Sequence, residues 1–141
     1  MAVRMILFDR GTQLGTLSGV TKAEHAEELN GEDSLTVETD TPVAKGQRIV
    51  WCDTDGTWRE HTVSSVAQSH EDDGPVRYKA ECENSISELF GDWLDDKRPE
   101  NATASQALSA ALEPSRWEIG TVTVTGSHST NYYRESSREA V

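Results

Sequence analysis

The chain has 141 residues, 35% hydrophobic and 27% charged, with 13 Lys and Arg against 25 Asp and Glu for a formal net charge of -12. This length suffices for one domain, or one domain and the start of another, and the chain is too aromatic and patterned for disorder. The acidity argues against a nucleic-acid partner, which demands clustered Lys and Arg, and against an anionic membrane surface; no apolar run approaches the roughly 18 residues of a spanning helix.

Met1 to Phe8 carries only Arg4 and runs straight into Asp9-Arg10-Gly11, without the apolar core or cleavage site of a secretion signal. Val3 to Phe8 and Gln13 to Ser18 read as a hairpin across that turn. Thr21 to Leu29 (TKAEHAEEL) carries conflicting signals. Thr21 with Glu24 forms a capping box and Gly31 a stop, which favours a helix, yet Asn30-Gly31 is equally a hairpin turn into Ser34 to Thr39, which alternates at strand period. Pro42 and Gly46 then break the chain. Gln47 to Cys52 and Trp58 to Val66 flank the turn Asp53-Thr54-Asp55-Gly56 as a second hairpin, and the acidic loop Glu71 to Pro75 leads to a strand over Val76 to Glu83.

The pattern changes beyond residue 83. Asn84-Ser85 with Glu88 reads as a helix start ahead of Ile86, Leu89, Phe90, Trp93 and Leu94, a stripe at helical spacing that ends before Pro99. Thr103 with Gln106 opens a helix over Ala104 to Leu112, closed by Pro114. Trp117 to Val124 is expected to be a strand, Ser127 to Thr130 a loop, and Arg134 to Val141 a helix without a stop signal.

Candidate chemistry fares poorly against simpler readings. Asp53-x-Asp55-Gly56 has carboxylates and a Gly turn but lacks the ligand spacing and closing Glu of a calcium loop, and Glu71, Asp72 and Asp73 read as a solvated loop. His25, His61, His70 and His128 form neither HxH nor HExxH, so no metal site is expected. Ser127-His128-Ser129 is no nucleophile elbow, and nothing local activates Cys52 or Cys82, which read as buried thiols. No phosphate-binding loop occurs, so no cofactor is expected. Trp51, Trp58 and Trp93 suit a sugar platform, although aromatics on strands more often pack a core. Asn101-Ala102-Thr103, formally a glycosylation sequon, is more economically a helix cap.

Several stretches taken in order carry a resemblance: Ile6-Leu7-Phe8-Asp9, Glu27 to Glu32 leading into Leu35-Thr36-Val37, Lys45 to Trp51, Trp58-Arg59-Glu60-His61, Tyr78 to Glu83, Ala107-Leu108 to Leu112, and Trp117-Glu118-Ile119-Gly120. Together they resemble the N-terminal region of minor structural, or tail-associated lysin, proteins of long-tailed phages and prophages, the prophage tail endopeptidase family. The resemblance spans nearly the whole chain. It implies a strand for Thr21 to Leu29, against its helical propensity.

It also implies a β-rich α+β fold like that of phage baseplate hubs: a small β-barrel-like, Greek-key antiparallel domain over residues 1–83, then a mixed α/β segment over 84–141 that begins a second hub domain. The implied role is structural and non-enzymatic. The module would join the distal tail ring to tail-spike or lysin domains, in the virion tail tip, after synthesis in the bacterial host cytoplasm. Its implied partners are two further copies of itself, the distal tail protein and the tape measure protein. Peptidoglycan cleavage in such proteins belongs to later domains, and no catalytic, cofactor-binding or metal residue carries over. The rival readings are a carbohydrate-binding β module for cell walls and a peptidoglycan hydrolase fragment.

Overall fold

The computed structural model describes residues 3–141. It comprises two compact units, Met1–Ser85 and Ile86–Val141.

The first unit is built from seven strands: β1 (Met5–Asp9), β2 (Thr12–Thr16), β3 (Lys22–Glu27), β4 (Asp33–Thr39), β5 (Arg48–Cys52), β6 (Trp58–His70) and β7 (Val76–Asn84). They form one antiparallel sheet in the order β2-β1-β5-β6-β7-β4-β3. The β5-β6-β7 meander with β4 returned beside β7 is a Greek key. Arg10 and Gly11, at φ +52° and +100°, give the β1–β2 connection the left-handed pair of a tight hairpin.

Residues 17–21 link the two ends of the sheet. Leu17 N–H donates to Met5 C=O, continuing the β1–β2 ladder, while Asp40 N–H donates to Ser18 C=O and Thr21 N–H to Glu38 C=O, continuing the β3–β4 ladder. The open sheet is thereby drawn into a barrel-like form, and Gly19 sits at the corner with φ +58°. A side chain there would collide with the Asp40 carboxyl.

Inward positions follow the two-residue strand period: Met5 and Leu7, Leu35 and Val37, Ile49 and Trp51, Ala80 and Cys82. On β6 they run His61 and Val63, then Val66, because the β6–β7 register shifts between Val63 and Ser65. Leu17 and Val43 complete the core.

Strand β3 is the exception. Its propensity favours a helix, yet six consecutive residues pair with β4, Lys22 through Glu27 against Glu38 through Asp33. Ladder pairing outweighs a propensity difference of about half a kcal/mol per residue. The β3 side chains are exposed except that of His25, which is half-buried. The connecting turn is longer than an Asn-Gly pair: Glu28 N–H donates to Glu32 C=O, Asn30 takes φ +57°, and Leu29 is almost wholly exposed.

In the second unit four expectations are corrected. The stripe from Ile86 to Leu94 is not one helix. A 3-10 helix, Ser85–Phe90, gives way at Gly91-Asp92 to strand β8 (Trp93–Lys97). Ile86 and Leu89 are three apart, which suits 3-10 as well as α geometry, and beyond Gly91 the pattern becomes alternation, with Trp93 out and Leu94 in. The Glu88 carboxylate takes the Trp117 indole N–H at 2.6 Å and the Arg116 guanidinium at 2.5 Å.

Trp117 to Val124 is not a strand either. It runs as irregular, mostly exposed chain, because a β-patterned segment without a neighbour to bond has no ladder to form. The short strand β9 (Ala102–Thr103) pairs instead with β10 (Ser127–His128), inside the expected loop, and β8 pairs with β11 (Tyr132–Ser136). The expected terminal helix from Arg134 is thus strand as far as Ser136, and α2 covers only Ser137–Ala140. Helix α1 (Ala104–Leu112) has Thr103 as N-cap in a complete capping box with Gln106. Leu94, Ala111 and Tyr132 form the small core of this unit.

Candidate functional site

One cluster of titratable side chains stands out in the first unit. His25 on β3, Asp33 at the start of β4 and His61 on β6 converge, with Trp51 from β5 and Asn84 from the end of β7 around them. His61 points inward because it lies in phase with Val63, and its side chain is fully buried. A polar group in that position needs partners, and every atom has one.

The hydrogen bonds fix where the protons are. Indole N–H groups only donate, so Trp51 Nε1, 3.2 Å from His61 Nδ1, makes that nitrogen an acceptor. The His61 proton therefore sits on Nε2 and is donated to Asp33 Oδ1 at 2.8 Å. His25 Nε2 donates to the same oxygen, also at 2.8 Å, and Asn84 Nδ2 donates to Oδ2 at 2.6 Å. Burial pushes the Asp33 carboxyl up, but the hydrogen bonds from Asn84, His61 and His25 outweigh it and bring it down to about 2. For His61 the balance reverses: burial lowers its affinity for a second proton more than the Asp33 hydrogen bond and charge raise it. The cluster is thus one carboxylate shared by two imidazoles. The His25 ring meets those of Trp51 and His61 edge-on at 5.1 and 5.3 Å.

The ligand atoms of His25, Asp33 and His61 lie within 4.8 Å of one another, close enough to ask whether they fit a metal ion. They fit poorly. A cation would need the Nε2 lone pair of His61, moving its proton to Nδ1, where it would face the Trp51 N–H with no acceptor between them. The arrangement is wired to hold Asp33 charged and His61 neutral.

Sequence reasoning missed this site, since the histidines form no local motif and Asp33 lies 28 positions from His61. The available signal was the strand phase that sends His61 inward. His70 ends β6 and His128 lies on β10, both exposed. Ser129 Oγ accepts from the Asn101 N–H instead of facing His128 as a nucleophile.

The Asp53–Gly56 carboxylates are occupied by their own turn. Asp53 accepts from Thr54 N–H and Arg59 Nε, and Asp55 from Thr57 N–H, which holds both below the usual carboxylate range. Cys52 and Cys82 are free thiols, and burial pushes Cys82 up to about 12. Of the tryptophans, Trp51 is buried and unavailable for stacking, while Trp58 and Trp93 are exposed on different units. In the second unit an open groove of about 420 Å³ lies beside the end of α1, lined by Ser109, Leu112, Glu113, Trp117 and Ile119.

No family model matches the chain, and no curated protein matches it in sequence. Solved structures do match in fold. The 43 kDa tail protein of prophage MuSo2 from Shewanella oneidensis aligns with 99% of this chain and 48% of its own, at TM-score 0.60 and 13% identity. The tail protein from Neisseria meningitidis MC58 aligns with 99% of this chain and 44% of its own, at TM-score 0.56 and 11% identity. The chain spans somewhat under half the length of these two proteins. At such identities the likeness is one of fold, and the β-rich architecture of this chain is the fold found in part of each of these tail proteins.

Proposed function

We propose that the chain is a non-enzymatic structural module of a phage or prophage tail. The observation that carries this reading is the fold, shared over 99% of the chain with the prophage MuSo2 tail protein. The electrostatics agree: a chain with a formal net charge of -12 is unsuited to gripping the genome and suited to docking on other proteins.

The finer reading is a hub at the tail tip, joining the distal tail ring to spike or lysin domains. Three copies would close a ring through a heterologous interface, one face of each module complementing another face of its neighbour. The distal tail protein and the tape measure protein would be its contacts in the virion. On this reading lytic activity is not a property of the chain itself.

The test is immunogold electron microscopy of particles induced from a lysogen that encodes the chain, using antibody raised against it. Gold at the tail end opposite the capsid supports the hub; gold along the tube leaves a tail protein but removes the hub; unlabelled tails overturn the proposal. Sedimentation of the purified chain at high micromolar concentration tests the ring, for which a trimer is expected.

A further inference from the structure

We propose that the His25–Asp33–His61 cluster is a proton-operated latch on the edge strand β3, closed while His61 is neutral and released when His61 takes a second proton.

Strand β3 is secured by its ladder to β4, by the single side chain it turns inward, His25, and by a surface ion pair from Glu27 to Arg59; Lys22, Ala23, Glu24, Ala26 and Glu27 are all exposed. Edge strands ordinarily dock on the core through aliphatic side chains, whose burial is indifferent to pH. Here the docking residue is an imidazole hydrogen-bonded to Asp33 and set edge-on against Trp51 and His61. The state of the cluster therefore bears directly on how firmly β3 is held.

The closed state depends on an unprotonated His61 Nδ1, because that atom accepts the Trp51 indole N–H. A proton arriving there sets two donors against each other at a ring that is wholly buried. The charged groups acting on His61 are Asp33 from β4, His25 from β3, and Arg59 two positions earlier on β6. Arg59 is itself engaged by Asp53 and Glu27, and β5 and β7 present the neutral Trp51 and Asn84. Among the described residues Asp33 is the anion hydrogen-bonded to the ring, and its Oδ1 already serves two imidazoles.

A positive charge on His61 is therefore poorly compensated. Relief comes from parting His61 from Trp51, and the side chain displaced with least loss is His25, on a strand whose further side-chain tie is the exposed Glu27–Arg59 ion pair, which contributes little beside buried packing. Release of β3 would uncover the backbone edge of β4, a row of free N–H and C=O groups that accepts a strand from another chain. The motion this predicts is local, with β5, β6 and β7 keeping their ladders.

The test is amide exchange by NMR on the full chain between pH 7.5 and 5, expressed as protection factors to remove intrinsic pH effects. Protection of β3 amides is expected to fall several-fold as His61 takes up its second proton, while β6–β7 amides hold. His25→Leu, an aliphatic peg that cannot titrate, is expected to abolish the drop, as is His61→Gln. Nitrogen shifts of the wild-type His61 ring, which need no variant to fold, should show Nδ1 unprotonated at pH 7.5. The latch is overturned by β3 protection that ignores pH, by a drop that persists in His25→Leu, by equal loss across all seven strands, or by a protonated Nδ1. It is also overturned if stoichiometric zinc at pH 7.5 perturbs both ring signals in slow exchange, which would make the cluster a metal site.

Discussion

Among the described residues of Met1–Ser85 a cluster of eleven buried residues is enclosed by the paired strands, whereas in Ile86–Val141 the corresponding cluster is Leu94, Ala111 and Tyr132. The ladders differ in the same way: β6 and β7 pair over nine registered positions, β9 and β10 over two. What the second unit has instead is local chemistry, namely capping boxes at Thr103 and Ser136 and the Glu88 carboxylate shared by Arg116 and Trp117. Caps and surface pairs contribute about 1 kcal/mol or less each, a fraction of what a buried aliphatic side chain supplies. The first unit should therefore unfold as a cooperative block, and the second should open first.

The largest expected effect is in that first core. Leu35→Ala removes a side chain that is 1% exposed and paired between His25 and Cys82, and should cost about 2–5 kcal/mol, read as a lowered urea midpoint by circular dichroism. Leu94→Ala, equally buried but in the smaller cluster, should fall near the lower end, about 2 kcal/mol, because neighbours few in number relax around a cavity more readily. Equal losses in a single shared transition would break the contrast between the units.

Acid sharpens it next, since Asp33, held down at about 2, and His61, lowered by burial, both lie in the first unit. His61 binds its second proton more weakly folded than unfolded, so stability should decline as pH falls through the ordinary histidine value of 6.5 and level off below the folded value. Asp33 is lowered from 3.8 to about 2, so its contribution is complete above about pH 4 and lost between there and pH 2. Urea midpoints measured from pH 8 to pH 2 should show both declines, and Asp33→Asn should shrink the lower one.

Gly19→Ala should follow at about 1–3 kcal/mol, combining a left-handed backbone with a collision against the Asp40 carboxyl, which is ion-paired to Arg77. Loss of amide protection at Leu17, Thr21 and Asp40 would locate the damage at the barrel corner.

Strands whose inward and outward positions alternate were legible in the sequence, as were the turn at Asp53–Gly56 and helix α1 with its Thr103–Gln106 box. Each is decided within about ten residues. Strand β3 was legible only through the resemblance, since KAEHAE has helical propensity and becomes a strand by pairing with β4. Trp117 to Val124 failed for the complementary reason, as alternation announces a strand but cannot supply its neighbour. The Ile86 to Leu94 stripe failed because Gly91 ends the 3-10 turn before the spacing can act as a helix face. The histidine cluster lay beyond reach because strand phase says that His61 faces inward, while only the strand order says that it meets Asp33.

The smallest effect tests the second unit alone. Thr103 Oγ1 accepts the Gln106 N–H, and Gln106 Oε1 accepts the Thr103 N–H, so Thr103→Ala leaves the first turn of α1 without its side-chain acceptor. The cost should be about 1 kcal/mol, and Thr103→Ser should recover most of it, since a serine hydroxyl reaches the same N–H. Because α1 supplies Ala111 and its neighbour Leu112 from its buried end, fraying at Thr103 should reach the small core with Leu94 and Tyr132. Exchange of amides in α1 and β8 should therefore quicken in Thr103→Ala while those of β6 and β7 stay unchanged. If β6 and β7 quicken by the same factor, the two units share one unfolding transition and the division of labour between core and caps is wrong.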